Sequence, residues 1–373
     1  MEIPSSHDKL LFTPGPLTTS LSVKQAMLHD EGSWHFRFRE IARDVCDSIL
    51  ALAGLTRESG FEVVLMQGSG TFGVESAIGS AVPPTGKLLV LTNGAYGERM
   101  IQMAACLKIP TAVLRTAEDA APEAAEVERI LAADPQITHV AMVHCETTTG
   151  VLNPIAAVGK VVKARGRVFI VDAMSSFGGI PIDFADAGID FLISSANKCI
   201  EGVPGFSFII AKKDELLKTE GYARSLSLDL LGQWKGFQKN SQFRYTPPTH
   251  SVLAFVQALA ELKMEGGVPG RAARYKNNHA ALLQGMAKLG LKPFLKPEIQ
   301  SYIITSFHYP ASAKFVFDEF YRRLSEKGMI IYPGKLTQLD TFRIGTIGRL
   351  FPADMCHLVA SIRETLEEMG VQA

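Results

Sequence analysis

The chain has 373 residues, 47% of them apolar and 20% charged, and this composition excludes a mainly disordered protein because there is ample apolar surface to bury. The 38 Lys and Arg residues balance 38 Asp and Glu residues, so the protein has no overall charge that would attract nucleic acid or an anionic membrane. The length favours either two to three domains or one large α/β domain with an appendage.

The cysteines and the N-terminus indicate a reducing compartment. The five cysteines are Cys46, Cys106, Cys145, Cys199 and Cys356. None lies in a C-x-x-C pair, which excludes a zinc ribbon and a thioredoxin-type motif and favours reduced thiols over a disulfide framework. The N-terminal sequence lacks a signal-peptide pattern, and no apolar run approaches the roughly 20 residues needed to span a bilayer. We therefore expect a soluble cytoplasmic protein that binds neither nucleic acid nor membrane.

The predicted elements begin with an N-terminal arm that ends in Leu11–Pro16, where two prolines around a glycine favour an extended or turning segment. The apolar spacing then predicts helix from about Val23 to Leu55. Short β-rich runs follow, separated by helical stretches, and this pattern is typical of a parallel sheet covered on both faces. The predicted strands are Val63–Met66, Leu88–Leu91, His139–Val143, Val168–Val171, Phe191–Ile193 and Phe206–Ile210. The last follows its predecessor too closely for a crossover helix, so we expect it to be antiparallel.

The pattern changes after Gly266–Gly267. A helix with several basic side chains leads into shorter strands, which indicates a smaller α+β domain. The basic side chains of this helix are Arg271, Arg274, Lys276 and His279, and the strands lie around Tyr302–Ile304 and Thr341–Ile344. We therefore predict an N-terminal arm over residues 1–20, a large ligand-binding domain over 21–265 and a small C-terminal domain over 266–373.

The first candidate site is the glycine-rich turn Gln67–Gly73 (QGSGTFG), which follows a predicted strand and opens a helix. Backbone N–H groups at a helix N-terminus form a cup for an anion, and the Ser69 and Thr71 hydroxyls add two donors. The three glycines also match the G-x-G-x-x-G pattern of a Rossmann dinucleotide site, but the acidic residue expected about 20 positions later is missing. A tight turn that binds no ligand is the remaining alternative.

The second candidate site is a pair of residues at the ends of two predicted strands. Asp172 ends the strand 168–171, and Lys198 follows the strand 191–193. Ligands of open parallel sheets bind at the carboxyl ends of the strands, so both residues are expected on one rim near the anion cup. A lysine in apolar surroundings loses its proton more easily, and an Asp beside a pyridine nitrogen keeps that ring protonated. Together the three features describe a pyridoxal phosphate site, although Lys198 alone could be a solvated surface lysine.

The segments around these residues resemble the fold-type-I pyridoxal-phosphate enzymes of the alanine–glyoxylate transaminase branch (class V). The resemblance implies a mostly parallel central sheet with helices on both faces, a smaller C-terminal α+β domain and a homodimer. It extends in order from Leu10 to Gly348. The supporting stretches are LLFTPGPLTTS, LMQGSGT, NGAYGERM, AMVHCETTTGVLNPI, FIVDAMSSFGGIPID, LISSANKCIEGVPGF, RSLSLDL, FRYTPPTHSVLAF and FRIGTIG.

The resemblance implies how a cofactor ring would be held. Lys198 would hold pyridoxal 5′-phosphate as a Schiff base and act as the general base, and Asp172 would pair with the pyridinium nitrogen. Tyr96 would stack on the ring, where its quadrupole and apolar area favour a flat heterocycle; a core aromatic is the alternative. Thr147 would reach the region of the ring hydroxyl, with a simple polar turn as the alternative.

The resemblance also implies how the cofactor phosphate would be held. Ser69, Gly70 and Thr71 would bind it, with Asn197 alongside. Thr246 would reach the phosphate bound by the neighbouring subunit; a turn threonine before two prolines is the alternative. The role of Thr246 is the reason to expect two shared active sites in a homodimer.

Arg343 lies in a β-like stretch of the predicted small domain. A guanidinium among apolar neighbours needs an anionic partner, and its planar fork suits a carboxylate or a phosphonate. The resemblance makes Arg343 the residue that binds the substrate anion, and a structural salt bridge is the alternative.

The activity implied by the closest resemblance moves the amino group of 2-aminoethylphosphonate to pyruvate and gives phosphonoacetaldehyde and L-alanine. One alternative is a transaminase of the same branch that uses alanine and glyoxylate or serine. Another, from a different class, is a nucleotide-dependent oxidoreductase built on the Gly68–Gly73 turn.

The segment Trp34–Arg39 departs from the family pattern, and we expect it near the mouth of the active site. His139 and His144 lack partners at metal-ligand spacing, so we expect one in the core, one beside the site and no metal.

Overall fold

The computed structural model describes residues 8–335 and 339–371, so the first seven residues of the predicted arm lie outside the described residues. The strands are β1 (Leu10–Leu11), β2 (Phe61–Gln67), β3 (Lys87–Thr92), β4 (Thr111–Arg115), β5 (Ile137–Val143), β6 (Cys145–Glu146), β7 (Val151–Leu152), β8 (Val168–Asp172), β9 (Phe191–Ser195), β10 (Phe206–Lys212), β11 (Ile304–His308), β12 (Met329–Ile330), β13 (Tyr332–Pro333) and β14 (Thr341–Gly345). The helices are α1 (Leu21–Gln25), α2 (Phe36–Leu52), α3 (Gly70–Ala81), α4 (Ala95–Cys106), α5 (Ala124–Ala133), α6 (Ile155–Ala164), α7 (Phe184–Ala187), α8 (Lys213–Leu217), α9 (Leu230–Asn240), α10 (Thr249–Met264), α11 (Gly267–Lys288), α12 (Phe317–Glu326) and α13 (Pro352–Glu368).

Within the described residues, seven strands form a central sheet in the order β2-β10-β9-β8-β5-β3-β4. Neighbouring strands from β9 to β4 are parallel, whereas β10 runs antiparallel to both β2 and β9. The antiparallel direction predicted for the strand around 206–210 is therefore confirmed. Because β10 is antiparallel to both of its neighbours, β2 and β9 run in the same direction. The turns that follow β2 and β9 therefore leave the sheet at the same edge.

The central sheet is buried on both faces. In β5 the side chains alternate between two cores: Val140 and Met142 face one, and Ala141 and Val143 face the other. Helices α2, α5, α6 and α10 cover the first face, and α3, α4 and α9 cover the second. The predicted parallel sheet with helices on both faces is thus confirmed, as are all six strands predicted for it. The edge strand β4 was not predicted.

The strand order bears on the glycine-rich turn. The observed order differs from the 3-2-1-4-5-6 order of the dinucleotide-binding fold, so the spacing of the three glycines does not mark that fold here. Helix α3 begins at Gly70, within the glycine-rich turn itself. Its first turn therefore points its free N–H groups at the rim of the sheet.

The predicted helix from Val23 to Leu55 is wrong in its middle. The structure has two helices, α1 and α2, separated by residues 26–35. The separating segment contains Asp30-Glu31-Gly32-Ser33, and Asp, Gly and Ser favour turns over helix interiors. Trp34 and Phe36, which lie within the predicted helix, are both more than two-thirds exposed.

The C-terminal unit has its own core. The long helix α11 packs on α13, and β11, β14 and β13 form an antiparallel sheet beside them. Phe307 and Phe342 stack across this sheet with ring centroids 5.8 Å apart. The strand expected around 302–304 begins only at Ile304, whereas the strand at 341–344 matches β14. No helix of the described chain has the length and apolar character needed to cross a membrane.

The N-terminal arm belongs to this C-terminal unit before it reaches the large sheet. Strand β1 pairs in parallel with β12, and Phe12 is buried in the C-terminal core. Gly345 N–H donates to the backbone oxygen of Phe12 (2.9 Å), which continues the attachment. The next residues of the arm, Thr13–Pro16, are thereby directed toward the rim that carries the candidate site.

Candidate active site

A cleft lies where the turns after β2, β3, β5, β8 and β9 leave the central sheet. This is the edge at which open parallel sheets bind ligands. The cleft has a cavity volume of about 210 Å³ and is open at its mouth. The predicted residues that line it are Ser69, Gly70, Thr71, Tyr96, Thr147, Asp172, Asn197 and Lys198.

Lys198 lies in the turn after β9, with its amine against the N-terminal arm. Its Nζ donates a hydrogen bond to the backbone oxygen of Pro14 (2.6 Å). A Cβ at Gly15 would lie 2.7 Å from the same Nζ, and Gly15 has φ of +125°, so only glycine fits this close approach. Burial lowers the pKa of Lys198 to about 8, and the positive charge of Arg343 acts in the same direction. A substantial fraction of the amine is therefore uncharged near pH 8.

Asp172 is the last residue of β8, and its side chain is buried. In the described part of the chain its carboxylate receives one hydrogen bond, from the backbone N–H of Met174 to Oδ1 (2.9 Å). Burial raises the pKa of Asp172 to about 6, and the charge of Glu146 adds to the rise, while Lys198 and Arg99 oppose it. Asp172 Oδ2 is left available to a proton donor bound in the cleft.

The anion cup is formed by the start of helix α3. Ser69 precedes the helix, but its hydroxyl does not bond to a backbone N–H of the first turn, and that turn contains no acidic side chain. A Cβ at Gly70 would lie 2.3 Å from Met174 Sδ, so a larger residue here would displace the end of the Met174 side chain. The Arg99 guanidinium donates a long hydrogen bond to Thr71 Oγ1 (3.4 Å). The cup thus combines unpaired backbone donors with a positive charge, an arrangement that suits a phosphate.

A buried carboxylate holds two segments of the cleft together. Glu146 is fully buried, and its Oε2 accepts the backbone N–H groups of Tyr96 (3.2 Å) and Gly97 (3.4 Å). Its Oε1 accepts both the backbone N–H (3.1 Å) and the hydroxyl (2.6 Å) of Thr148. Burial raises the pKa of Glu146, but these four donors all favour its ionised form. Glu146 therefore ties the start of α4 to the turn that carries Thr147.

Arg343 adjoins the cleft from the C-terminal unit. Its Nη1 donates to the backbone oxygen of Thr147 (2.7 Å), and its Nε donates to that of Pro333 (2.9 Å). The side chain is buried, and burial lowers its pKa. No carboxylate among residues 8–335 and 339–371 forms an ion pair with it, so the alternative of a structural salt bridge is wrong for the described residues. A buried guanidinium held by two carbonyls still needs an anion.

Two predicted features lie outside the cleft. Thr246 is exposed, and its backbone oxygen accepts only a long hydrogen bond from Gln67 (3.4 Å). The segment Trp34–Arg39 contributes no residue to the cleft lining, and within it Arg37 lies 3.8 Å from Glu31 at the surface. The role of Thr246 toward a neighbouring subunit remains a prediction.

Sequence reasoning missed Arg99, Met174 and Pro14 as parts of the site. Arg99 follows Tyr96 by one helical turn in NGAYGERM, so the two side chains share a face of α4, and this spacing could have identified it. Met174 and Pro14 act through shape and a backbone oxygen, for which the sequence contains no signal.

His139 and His144, which the sequence analysis singled out, are both uncharged at neutral pH, because burial lowers the pKa of each to about 4. His139 lies within β5 and bonds to Thr138 (2.8 Å). His144 follows β5, and its backbone N–H donates to the backbone oxygen of Asp172 (2.8 Å), which places it beside the site. Among the residues that the structure describes, no group of three His, Cys, Asp or Glu side chains could hold a metal ion.

Comparison with known sequences identifies relatives over nearly the whole chain. The pattern of the aminotransferase class-V family matches residues 50–336. A Vibrio vulnificus 2-aminoethylphosphonate–pyruvate transaminase is 53% identical over 362 residues, which cover 96% of this chain and 98% of the relative. A Bacillus cereus protein of the same name is 54% identical over 354 residues, covering 95% and 96% of the two chains.

Comparison with solved structures supports the fold. Pyridoxamine–pyruvate aminotransferase from Mesorhizobium loti superposes with a TM-score of 0.89 at 23% identity, covering 99% of this chain and 95% of that one. Alanine–glyoxylate aminotransferase from Nostoc sp. gives a TM-score of 0.88 at 24% identity, covering 98% and 97%. The mostly parallel α/β sheet and the C-terminal α+β unit are thus those of the fold-type-I aminotransferases.

Proposed function

Because the chain belongs to the class-V aminotransferase family, we propose that it moves the amino group of 2-aminoethylphosphonate to pyruvate, forming phosphonoacetaldehyde and L-alanine. The observation that carries this proposal is the 53% identity over nearly the full length of both chains with a relative named for that reaction. The buried and unpaired guanidinium of Arg343 supports it, because both substrates carry an anionic group.

The residues of the cleft fit pyridoxal 5′-phosphate as cofactor. The N–H groups at the start of α3 suit its phosphate, and the available oxygen of Asp172 suits a protonated ring nitrogen. Lys198 offers an amine whose pKa burial lowers to about 8. When bound, the cofactor supplies an aldehyde that condenses with amines and a conjugated ring that accepts the electrons of a broken C–H bond.

In this proposal Lys198 has two roles. Its uncharged amine would hold the cofactor covalently, and burial favours that uncharged form. When free, Nζ would act as the general base that takes the proton from the donor carbon that bears nitrogen. The backbone oxygen of Pro14, 2.6 Å from Nζ, orients the amine for this transfer.

Asp172 and Arg343 act by charge. Asp172 holds a proton on the ring nitrogen, which makes the ring a better acceptor of electrons, and the burial of its carboxylate strengthens that interaction. Arg343 binds the phosphonate of the donor and the carboxylate of pyruvate in turn, because its fork can bind either group through two hydrogen bonds. Ser69, Gly70 and Thr71 bind the cofactor phosphate in this proposal, with Asn197 alongside.

Three further predictions belong to the proposal. The enzyme is a homodimer in which Thr246 reaches the cofactor phosphate of the neighbouring subunit. It works in the cytoplasm. Its chain divides into an arm (residues 1–20), a large cofactor-binding domain (21–265) and a small domain (266–373).

Single-turnover spectroscopy of the purified holoenzyme tests the proposed function. The protein is mixed separately with 2-aminoethylphosphonate, serine and alanine, and its absorbance is followed without an acceptor. We expect 2-aminoethylphosphonate and alanine to convert the cofactor to its aminated form, and pyruvate to restore it. Glyoxylate in place of pyruvate is the matched comparison for the acceptor.

Two outcomes would replace the proposal. A response to serine and glyoxylate with none to 2-aminoethylphosphonate would favour the alanine–glyoxylate or serine type of the same branch. A colourless protein that is unaffected by borohydride would favour the nucleotide-dependent alternative, since a Schiff base with Lys198 absorbs visible light and is reduced by borohydride.

A further inference from the structure

Two positive side chains lie against the ring of Tyr96 at the mouth of the cleft, and a third, that of Arg343, lies 5.7 Å from the centroid of the Tyr332 ring. The Arg99 guanidinium lies 5.0 Å from the centroid of that ring, and Lys335 Nζ lies 4.6 Å from it. Lys335 is in the segment between β13 and β14, just before the residues that the structure does not describe. Burial lowers the pKa of Lys335, and the charges of Arg99 and Arg343 lower it further, so the three cations act on one another.

These cations lack neutralising partners. Within residues 8–335 and 339–371, no Asp or Glu forms an ion pair with Arg99, Lys335 or Arg343. The buried carboxylate of Glu146 is the acidic group whose charge reaches both Lys335 and Arg343. Asp172, whose charge reaches Arg99, is the other buried carboxylate nearby. Three positive charges beside two buried carboxylates leave an excess of positive charge that favours the binding of an anion.

Two of the three cations are already oriented by the site. Arg99 donates to Thr71 Oγ1 at the anion cup, and Arg343 is held by the carbonyls of Thr147 and Pro333. Lys335 lies on the C-terminal side of the mouth, two residues beyond the Pro333 carbonyl that holds Arg343. Its side chain is a flexible point charge that can reach toward an anion bound at Arg343.

We propose that Lys335 is a specificity-determining residue that supplies the second positive charge for the dianionic phosphonate of the amine donor. The inference depends on the proposed function. The ammonium group of the amine donor favours loss of the second proton of its phosphonate, so the donor's anionic group carries more than one negative charge near neutral pH, whereas pyruvate carries one. The positive charge of Arg343 alone neutralises the carboxylate of pyruvate, and the positive charge of Lys335 neutralises the additional negative charge of the donor. The same mouth thus accepts two anions of different charge.

Variants of Lys335 separate the two half-reactions. In single-turnover experiments with the holoenzyme, we expect Lys335→Gln to lower the apparent second-order rate constant for the reaction with 2-aminoethylphosphonate by about tenfold or more. The reaction of the aminated enzyme with pyruvate changes by less than about threefold. Lys335→Arg keeps the charge and retains most of the wild-type preference. Equal losses in both half-reactions, or no loss in either, would overturn the inference.

A second measurement removes any dependence on turnover. Ethylphosphonate and ethylsulfonate have the same skeleton, and at a pH above the second pKa of the phosphonate they differ by one negative charge. Their inhibition constants at that pH report binding to the mouth. We expect Lys335→Gln to weaken the binding of ethylphosphonate about tenfold and to change the binding of ethylsulfonate little. Equal weakening would assign Lys335 a general role and contradict the charge argument. If wild-type protein reacts with serine but not with 2-aminoethylphosphonate, the proposed function fails instead.

Discussion

Glu146 and Tyr96 are joined by a hydrogen bond of 3.2 Å in which the backbone N–H of Tyr96 donates to a completely buried carboxylate. The bond lies at the N-terminus of helix α4, where the partial positive charge of the helix favours a negative group. A Cβ at Gly94 would lie 2.5 Å from Glu146 Cγ, so the helix can approach the carboxylate only because residue 94 is glycine. The position of the Tyr96 ring in the cleft therefore depends on a side chain that does not line it.

Replacing Glu146 by Gln tests this dependence. The amide keeps the shape but turns one acceptor into a donor that faces the N–H donors of Tyr96 or Thr148. We expect a loss of about 1–3 kcal/mol in the free energy of unfolding and faster release of the cofactor, measured by denaturant titration and by dialysis. Glu128→Gln, at an exposed pair with Arg165, is the matched control. Unchanged cofactor release would show that Glu146 does not position Tyr96.

Lys198→Ala is expected to abolish multiple-turnover transamination while the protein stays folded. The change removes both the covalent anchor and the base that takes the donor proton. Steady-state assays and circular dichroism check the two parts of the expectation. Lys160→Ala, at an exposed pair with Asp186, controls for the loss of a lysine. Turnover near the wild-type level in Lys198→Ala would refute the proposed role.

The rate of cofactor capture by the apoprotein should depend on pH in a defined direction. The uncharged amine of Lys198 reacts, and burial lowers its pKa to about 8. Between pH 7 and 8 the uncharged fraction increases several-fold, so capture accelerates, and above about pH 8.5 it levels off. Absorbance after mixing apoprotein with pyridoxal phosphate measures the rate. A rate that continued to rise tenfold per pH unit beyond pH 9 would indicate an ordinary lysine.

Arg343→Lys is expected to impair both half-reactions by roughly ten- to a hundredfold. Lysine keeps the charge but loses the planar fork, and charge-assisted hydrogen bonds are worth about 1.5–3 kcal/mol. Single-turnover measurements with 2-aminoethylphosphonate and with pyruvate report each effect. Arg37→Lys, at the surface and outside the cleft, is the control. If only the pyruvate reaction suffered, Arg343 would not hold the phosphonate.

The assembly state provides the last prediction. Light scattering at micromolar concentration should give the mass of two chains, and Thr246→Val should release cofactor about tenfold faster than wild type. Thr246 is exposed in its own chain, so a loss of cofactor affinity would have to come from a neighbouring subunit. A fully active monomer would disprove the shared site.

Much of the fold could be predicted because its strands are continuous apolar runs bounded by turn residues. Strand β10 was predicted to be antiparallel because only residues 196–205 separate it from β9. The break between α1 and α2 was missed because apolar spacing continued through a segment whose Trp34 and Phe36 are exposed. Strand β4 was missed because it lies at the sheet edge, and most of its residues are only half buried.

The site was predictable where chemistry determines the residue type. A reactive amine, a carboxylate and a glycine-rich turn at strand ends were recognisable from sequence, and the cleft contains all three. Contacts made by the backbone or by distant segments could not be predicted in this way. The oxygen of Pro14 bonds to Lys198 across 184 positions of the chain, and nothing in either local sequence records that proximity.

The antiparallel strand β10 also has a consequence for the order in which the protein folds. Strand β2 ends at Gln67, and in the described chain its neighbour in the sheet is β10, which begins only at Phe206. Pairing across so long a loop is slow compared with local contacts. During synthesis, Ser69–Thr71 therefore cannot take their place beside Lys198 until the ribosome has released the chain through Lys212. The anion cup, though early in the sequence, is among the last parts of the large sheet to be completed.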